Sequence, residues 1–216
     1  MEVFECIKTR RSIRRYMDTP VEWEKIGRMM EAGKAAPSSG NLQNWSFLVI
    51  LDKDTRKQIS EACLKQYWMA EAPVHIVVVG LPYKAKRFYG IRGERLYTIQ
   101  NCAAAIENML LMAHNQGLGT CWVGAFDEDG LKTAVPMPEE VRPQAVITIG
   151  YANEIPPEPP EFTLENVMYF RGYGTQGNRV KDIPKYTKEF SVIIDRNLQK
   201  GKGVLNRVIG KIKGEK

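Results

Sequence analysis

The sequence predicts an α+β fold organised around one sheet and one long helix. Residues 45–51, 74–80 and 144–150 are apolar, β-branched runs bounded by polar residues or proline, and each reads as a buried strand. Residues 94–116 carry Ile99, Ala103, Ile106, Leu110 and Ala113 at helical spacing, which marks a long central helix. Strands alternate with helices only in part and helical runs dominate, so layers of helix on sheet fit better than a doubly wound parallel sheet.

In chain order, residues 2–9 form a short helix and residues 10–16 a connector. Residues 21–33 form a second helix, opened by Asp18-Thr19-Pro20 and closed by Gly33. A polar loop, Pro37-Ser38-Ser39-Gly40-Asn41-Leu42-Gln43-Asn44, then runs straight into the first strand. Residues 55–67 are expected to be helical between the first two strands. The central helix stops at Gly117-Leu118-Gly119, residues 120–126 are extended, and Asp127 opens a polar, acidic helix. Ile155-Pro156-Pro157-Glu158-Pro159-Pro160 can be neither helix nor central strand, and residues 171–177 are loop-like. Near the end, Val204, Leu205, Val208, Ile209 and Ile212 share one face of a basic helix. This divides the chain into a domain at 1–160 and an extension at 161–216.

Composition narrows the function. A chain of 216 residues, 44% hydrophobic and 26% charged, has room for one substantial core. It shows no apolar run of the roughly 20 residues a membrane span needs and no secretory h-region, so a cytoplasmic location is expected. Cys6, Cys63, Cys102 and Cys121 form no C-x-x-C pair, and only His75 and His114 add imidazoles, so no metal site is expected. Cys102 and Cys121 read as small buried hydrophobes. The net charge of +6 belongs to residues 181–216, with 10 Lys+Arg against 4 Asp+Glu, while the first 180 residues balance at 21 each. No basic face interleaved with aromatics appears in the body, which argues against nucleic acid. The basic tail fits docking on a partner subunit better than lipid binding, because a single short helix is a weak membrane anchor, and a membrane surface stays open as the alternative. Gly117 to Trp122 fails the G-x-G-x-x-G dinucleotide pattern, and no Walker-type loop occurs. Trp45, Trp122 and the alanine-rich helix face are expected in the core, with His114 as a helix-end residue.

Two segments carry chemistry. Arg10-Arg11-Ser12-Ile13-Arg14 gathers guanidinium forks and a hydroxyl just past the first helix, which suits phosphate oxygens. The 38–43 loop offers hydroxyls, amides and backbone N–H groups to a polar chain or a heterocycle edge.

These two segments are followed by Gln100-Asn101-Cys102-Ala103-Ala104-Ala105-Ile106-Glu107-Asn108-Met109-Leu110 and by Gly117-Leu118-Gly119-Thr120-Cys121-Trp122-Val123-Gly124-Ala125-Phe126. In this order, over residues 3–152, the chain resembles the nitroreductase family of FMN-dependent oxidoreductases. The resemblance implies an α/β/α sandwich with a mostly antiparallel central sheet, assembled as an intertwined homodimer with FMN at the interface. It implies that Arg10, Arg11, Ser12 and Arg14 hold the FMN phosphate, ribityl chain and pyrimidine oxygens, and that Ser38, Ser39, Asn41 and Gln43 come from the other subunit. Val123, Gly124 and Ala125 would lie beside the flavin ring, a backbone N–H of Gly124 or Ala125 facing N5. The implied reaction is ping-pong hydride transfer from NADH or NADPH through flavin N5 to a small electrophile such as a nitroaromatic, quinone, flavin or enone. No protein nucleophile is required. Phe88, Tyr89 and Arg92 stand where such proteins cover the flavin and choose the acceptor.

The chain departs from the family pattern in three places. Asn44 stands where proline is common and Asn101 where aspartate is frequent, and no basic residue lies near Glu161-Phe162-Thr163-Leu164-Glu165, where one usually grips the phosphate. Arg171, Arg179 or Lys181 could replace it, Arg171 being the assigned candidate, or Arg10 and Arg11 could suffice. The alternative function is a flavin-binding or membrane- or partner-associated module with low turnover.

Overall fold

Strand-forming runs and amphipathic helices meet in a three-layer sandwich. The computed structural model describes residues 1–169 together with Gly172 and Tyr173. Met1–Glu158 is one compact unit. Its elements are α1 (Val3–Thr9), α2 (Trp23–Lys34), β1 (Trp45–Ile50), α3 (Lys53–Ala62), β2 (Val74–Gly80), α4 (Pro82–Arg92), α5 (Thr98–Asn115), β3 (Gly119–Val123), α6 (Glu128–Ala134) and β4 (Arg142–Gly150). The described residues after this unit contain a short helix, α7 (Leu164–Val167). Arg171, Arg179, Lys181 and the tail helix expected around 204–212 lie outside the described residues.

The four strands pair antiparallel throughout, in the order β1-β2-β4-β3. Alternation along β2 explains the two cores, because successive side chains of a strand point to opposite faces. Val74, Ile76 and Val78 join Ile26 and Met29 of α2 and Ile106, Met109 and Leu110 of α5 in one apolar cluster. Val77 and Val79 face the other way, toward Ile59 of α3 and Leu131 of α6. Both faces of the sheet are thus covered by helices, and all of β2 is buried.

The expected helix 55–67 begins earlier and ends earlier, as α3. Asp52 caps it, its carboxylate accepting from the Thr55 N–H at 2.7 Å. After Cys63 the chain takes left-handed φ of +57° at Leu64 and +60° at Lys65, which no helix continues through. A 3₁₀ turn at Tyr67–Glu71 follows.

The expected central helix 94–116 is shorter. Its first turn is a π-type turn, Gly93–Tyr97, and α5 proper starts at Thr98. Its buried face is centred on Cys102, Ala105, Ile106, Met109, Leu110 and Ala113, so Ile99 is exposed rather than core. Trp122 is likewise not core. Cys121 and Val123 on either side of it take the buried face of edge strand β3, and period two leaves the indole 40% exposed. Trp45 is buried as expected, and all four cysteines are buried and free.

Candidate functional site

The first functional segment is fixed by α1 and β3. The α1 helix ends at Thr9, and the chain then runs extended beside β3, with Ser12 bridged in parallel to Thr120 and the Ile13 N–H donating to the Thr120 carbonyl at 2.9 Å. Ile13 is buried against Gly119, where a Cβ would lie 2.8 Å from Ile13 Cγ1, so glycine lets the segment approach the strand. Tyr16 anchors the far end, its hydroxyl donating to the Ile13 carbonyl at 2.6 Å and meeting Thr148 Oγ1 at 2.7 Å.

The three arginines of this segment differ in role. Arg11 donates from Nη1 to the carbonyls of Lys8 at 2.6 Å and Arg10 at 2.7 Å, closing the C-terminus of α1, and its Nη2 lies 3.7 Å from Glu158. Arg10 keeps more capacity. Its Nε is buried with no hydrogen-bond partner, and the closest carboxylate oxygen, on Glu107, stands at 3.9 Å. The Arg14 guanidinium sits 5.9 Å from the Trp68 ring centroid, a cation–π distance. Glu154 ties the backbone here, accepting from the N–H groups of Arg14 and Arg15.

Arg10 and Arg11 line a cavity of about 560 Å³ with His114, Glu154, Glu158 and the Gly117-Leu118-Gly119 turn. His114 sits in the last turn of α5 as expected, its Nε2 2.9 Å from Thr9 Oγ1. Burial first, and then the charges of Arg10 and Arg11, hold its pKa below the usual imidazole value.

The second segment, loop 38–43, is a 3₁₀ turn with unusual backbone. Gly40, Asn41 and Gln43 take φ of +55°, +55° and +46°. The loop is braced from within, Ser38 Oγ accepting from the Gln43 N–H at 3.0 Å and Gln43 Nε2 donating to Asn41 Oδ1 at 3.1 Å. Asn101 on α5 braces it from below, accepting from the Ser39 N–H and donating to Ser39 Oγ, both at 3.0 Å. Gly40, Asn41 and Gln43 are exposed.

The α4 helix leans on this loop. A Cβ at Gly40 would lie 2.3 Å from the Tyr89 hydroxyl. Tyr89 stacks edge-on against Tyr97 at 5.2 Å, and Arg92 Nε donates to the Tyr97 hydroxyl at 3.0 Å. Phe88 and Tyr89 are exposed. Gly90 breaks the helix with φ +58° and ψ −146°, a conformation open essentially to glycine alone. Of the residues expected to choose the acceptor, Tyr89 therefore stands beside the 38–43 loop, and Arg92 is linked to it through Tyr97.

The third group lies at the end of β3. Val123 is buried, Gly124 and Ala125 are exposed, and Gln66 Nε2 donates to the Ala125 carbonyl at 3.4 Å. Gln66 stands at the start of the 3₁₀ turn and Trp68 within it, so this turn meets both Ala125 and Arg14. Neither Gln66 nor Trp68 was marked by the sequence. Gln66 falls at the end of the expected helix 55–67 and Trp68 just past it, where a lone amide and a lone aromatic carry no signal before the 3₁₀ turn Tyr67–Glu71 is known.

The sheet register sets the distance between the two polar segments. Trp45 pairs with Gly80 and Gly80 with Arg142, whereas Thr120 pairs with Ile149. The loop before β1 and the arginine segment beside Thr120 therefore occupy diagonally opposite corners, about 19 Å apart across the strands, counting the spacing from β3 to the segment, and about 24 Å along them. The two polar segments are thus well separated within one chain.

Known proteins give an independent comparison. A model described as Nitroreductase family matches residues 7–68 and 62–151. A protein of Methanothermobacter thermautotrophicus, provisionally named NADH dehydrogenase/NAD(P)H nitroreductase, is 35% identical over 160 residues, covering 72% of this chain and 80% of the relative. The FMN reductase (NAD(P)H) of Bacillus subtilis is 27% identical over 212 residues, covering 90% and 84%. Among solved structures, the FMN-dependent nitroreductase of Clostridium difficile R20291 superposes with a TM-score of 0.69 at 26% identity, covering 79% of this chain and 99% of its own.

Proposed function

The chain belongs to the Nitroreductase family, and from that premise we propose that it is an NAD(P)H-dependent oxidoreductase holding FMN between two copies of itself. The observation that carries this reading is the separation of the two polar segments. The loop is exposed at Gly40, Asn41 and Gln43, the arginine segment is half-buried up to an exposed Arg14, both are rich in hydrogen-bonding groups, and they stand at opposite corners of one sheet. Two copies related by a two-fold axis would place the arginine segment of one against the 38–43 loop of the other, twice.

The residues present suit FMN. Arg10, with a buried Nε free of partners, and Ser12 would take the phosphate, while Arg11 contributes charge from its place at the end of α1. Arg14, held over Trp68, would face the pyrimidine end of the ring, where its fixed positive charge favours electron-rich forms of the ligand. Ser38, Ser39, Asn41 and Gln43 of the second copy would supply hydroxyls and amides to the ribityl chain and ring edge. Val123 would form an apolar floor, and the N–H of Gly124 or Ala125 would donate toward N5. Bound FMN supplies the redox chemistry, accepting hydride from NADH or NADPH and delivering it to a small electrophile such as a nitroaromatic, quinone, flavin or enone. The protein then positions, shields and tunes, with Phe88, Tyr89 and Arg92 of the α4 lid setting which acceptor enters. Arg171 is the proposed late-chain cation for the phosphate.

Absorbance of the purified protein, with anaerobic addition of NADH and then NADPH, tests the reading. Flavin bands that bleach and then return on adding a quinone or nitro compound are expected. Flavin that stays oxidised with both donors, or no flavin after reconstitution with FMN, would overturn it.

A further inference from the structure

A chain of buried hydrogen bonds runs under the 38–43 loop and ends at the C-terminal end of α4. Asn44 and Thr98 are fully enclosed and Asn101 nearly so. Asn101 accepts from the Ser39 N–H and donates from Nδ2 to Ser39 Oγ and, at 2.6 Å, to Asn44 Oδ1. Asn44 donates from Nδ2 to Thr98 Oγ1 at 3.0 Å and toward the Leu81 carbonyl at 3.4 Å. Thr98 donates to the Gly93 carbonyl at 2.9 Å.

The chain has a direction. Each hydroxyl or amide accepts on the loop side and donates on the α4 side, so the whole series depends on one group that accepts at one atom and donates at the other. An amide at position 101 does both. An ionised carboxylate only accepts, and an apolar residue does neither.

The loop needs such bracing. Left-handed backbone at Asn41 and Gln43 costs energy that surrounding contacts must offset, and among the described residues Asn101 is the buried side chain bonded to both the backbone and the side chain of Ser39. At the other end, Gly90 breaks α4 and the buried, helical Gly93 lets the following turn pack closely, since a Cβ there would lie 2.3 Å from the Ala85 carbonyl oxygen.

We propose that Asn101 is a positioning residue: through Asn44 and Thr98 it holds the 38–43 loop in its ligand-facing shape and couples it to the Gly90 break and Gly93 turn of the acceptor-selecting lid. The proposal deepens the flavin reading and rests on it for the identity of the ligand, while the coupling itself is a property of the protein alone.

The test is Asn101→Asp in the full chain, compared with wild type at pH 8 and pH 5.5. Ionised, the new carboxylate faces Asn44 Oδ1 and forces that amide to rotate. Thr98 must then donate to Asn44, and the Gly93 carbonyl loses its hydroxyl donor. Protonated, the acid donates again and the original order returns. Two readouts are needed, amide hydrogen exchange of residues 90–97, where the hydroxyl donor is lost, without added FMN, and FMN dissociation constants from flavin fluorescence.

At pH 8 both should exceed wild type by about tenfold, the scale of one buried hydrogen bond lost, and at pH 5.5 both should lie within about twofold. A variant-to-wild-type ratio that stays the same at pH 5.5 once the carboxyl infrared band shows the acid protonated there, or exchange at residues 90–97 equal to wild type at pH 8, would overturn the proposal. Wild type that binds no FMN would sink the flavin reading and leave the coupling to be judged on exchange alone. Should Asn101→Asp fail to fold, Thr98→Val cuts the chain beyond Asn44. Faster exchange both at residues 90–97 and at the Ser39 amide is then expected, and a Ser39 amide within about twofold of wild type would refute the coupling.

Discussion

Replacing Gly40 by alanine separates backbone strain from lid contact, because the two act through different atoms. At φ +55° an alanine occupies left-handed backbone, which costs about 1 kcal/mol whatever the space around it. For a domain of this size that lowers Tm by about 2–4 °C. The steric effect is distinct. The added Cβ would sit 2.3 Å from the Tyr89 hydroxyl oxygen, but 3.4 Å from Tyr89 Cζ and 3.8 Å from Cε2, which are ordinary contacts. Removing only that oxygen, by Tyr89→Phe, therefore removes the clash. The cycle of Gly40→Ala, Tyr89→Phe and the double variant should show the same Tm loss in both backgrounds. The KM for a quinone acceptor should instead shift by about threefold or more for Gly40→Ala alone and by less than twofold in the Tyr89→Phe background. Equal KM shifts in the two backgrounds would show that Tyr89 does not lean on the loop, and the placement of the lid would be wrong.

Three further perturbations have defined outcomes. His75 is buried in β2 with Nε2 2.8 Å from the Met69 carbonyl, and burial pushes its pKa from 6.5 down to about 4. The unfolded chain takes up a proton below about pH 6.5 and the folded chain does not. This contribution to stability is therefore complete above pH 6.5 and is lost as pH falls toward 4, about 2 kcal/mol of it by pH 5, and denaturant unfolding of wild type against His75→Gln should show the steeper acid slope in wild type. Arg10→Gln should weaken FMN binding by about tenfold or more, read by flavin fluorescence, with loss proportionally greater at low salt than at high. Gly119→Ala drives a Cβ into Ile13 and should cost about 1–3 kcal/mol in urea unfolding, with weaker FMN binding because the arginine segment is pushed off β3.

Much of the fold was legible because its elements announce themselves by local pattern. The β-branched runs that became β1, β2 and β4 could be nothing else, and glycine at 117 and 119 stopped α5 where the sequence placed its end. What failed were features decided by tertiary contact. Ile99 matched the helical period but faces outward, because the sheet meets α5 along the face of Cys102 and Met109. Trp122 is large and apolar, yet its neighbours Cys121 and Val123 occupy the core face and the edge strand leaves it half-covered.

The site shows the same division. The arginine and Ser-Ser-Gly-Asn segments stand out in the sequence because charge and polarity cluster there. That Arg11 spends its donors on the end of α1 while Arg10 keeps a free Nε follows from where the helix stops, which the sequence left open to within a residue or two. Asn44 and Asn101 appeared only as departures from a family pattern. Their partnership joins positions 57 residues apart, and nothing short of the folded structure brings them to 2.6 Å.

The most direct test of the account is complementation between two defective chains. One carries Arg10→Gln and Arg14→Gln, the other Asn41→Ala and Gln43→Ala, and each alone should purify without flavin. Co-expressed and isolated as a mixed pair by two different tags, they should hold about one FMN per dimer, because one of the two shared sites then draws an intact arginine segment from one chain and an intact loop from the other. A mixed pair that carries no flavin would show that each chain builds its own site, and the diagonal arrangement would not be what assembles the cofactor pocket.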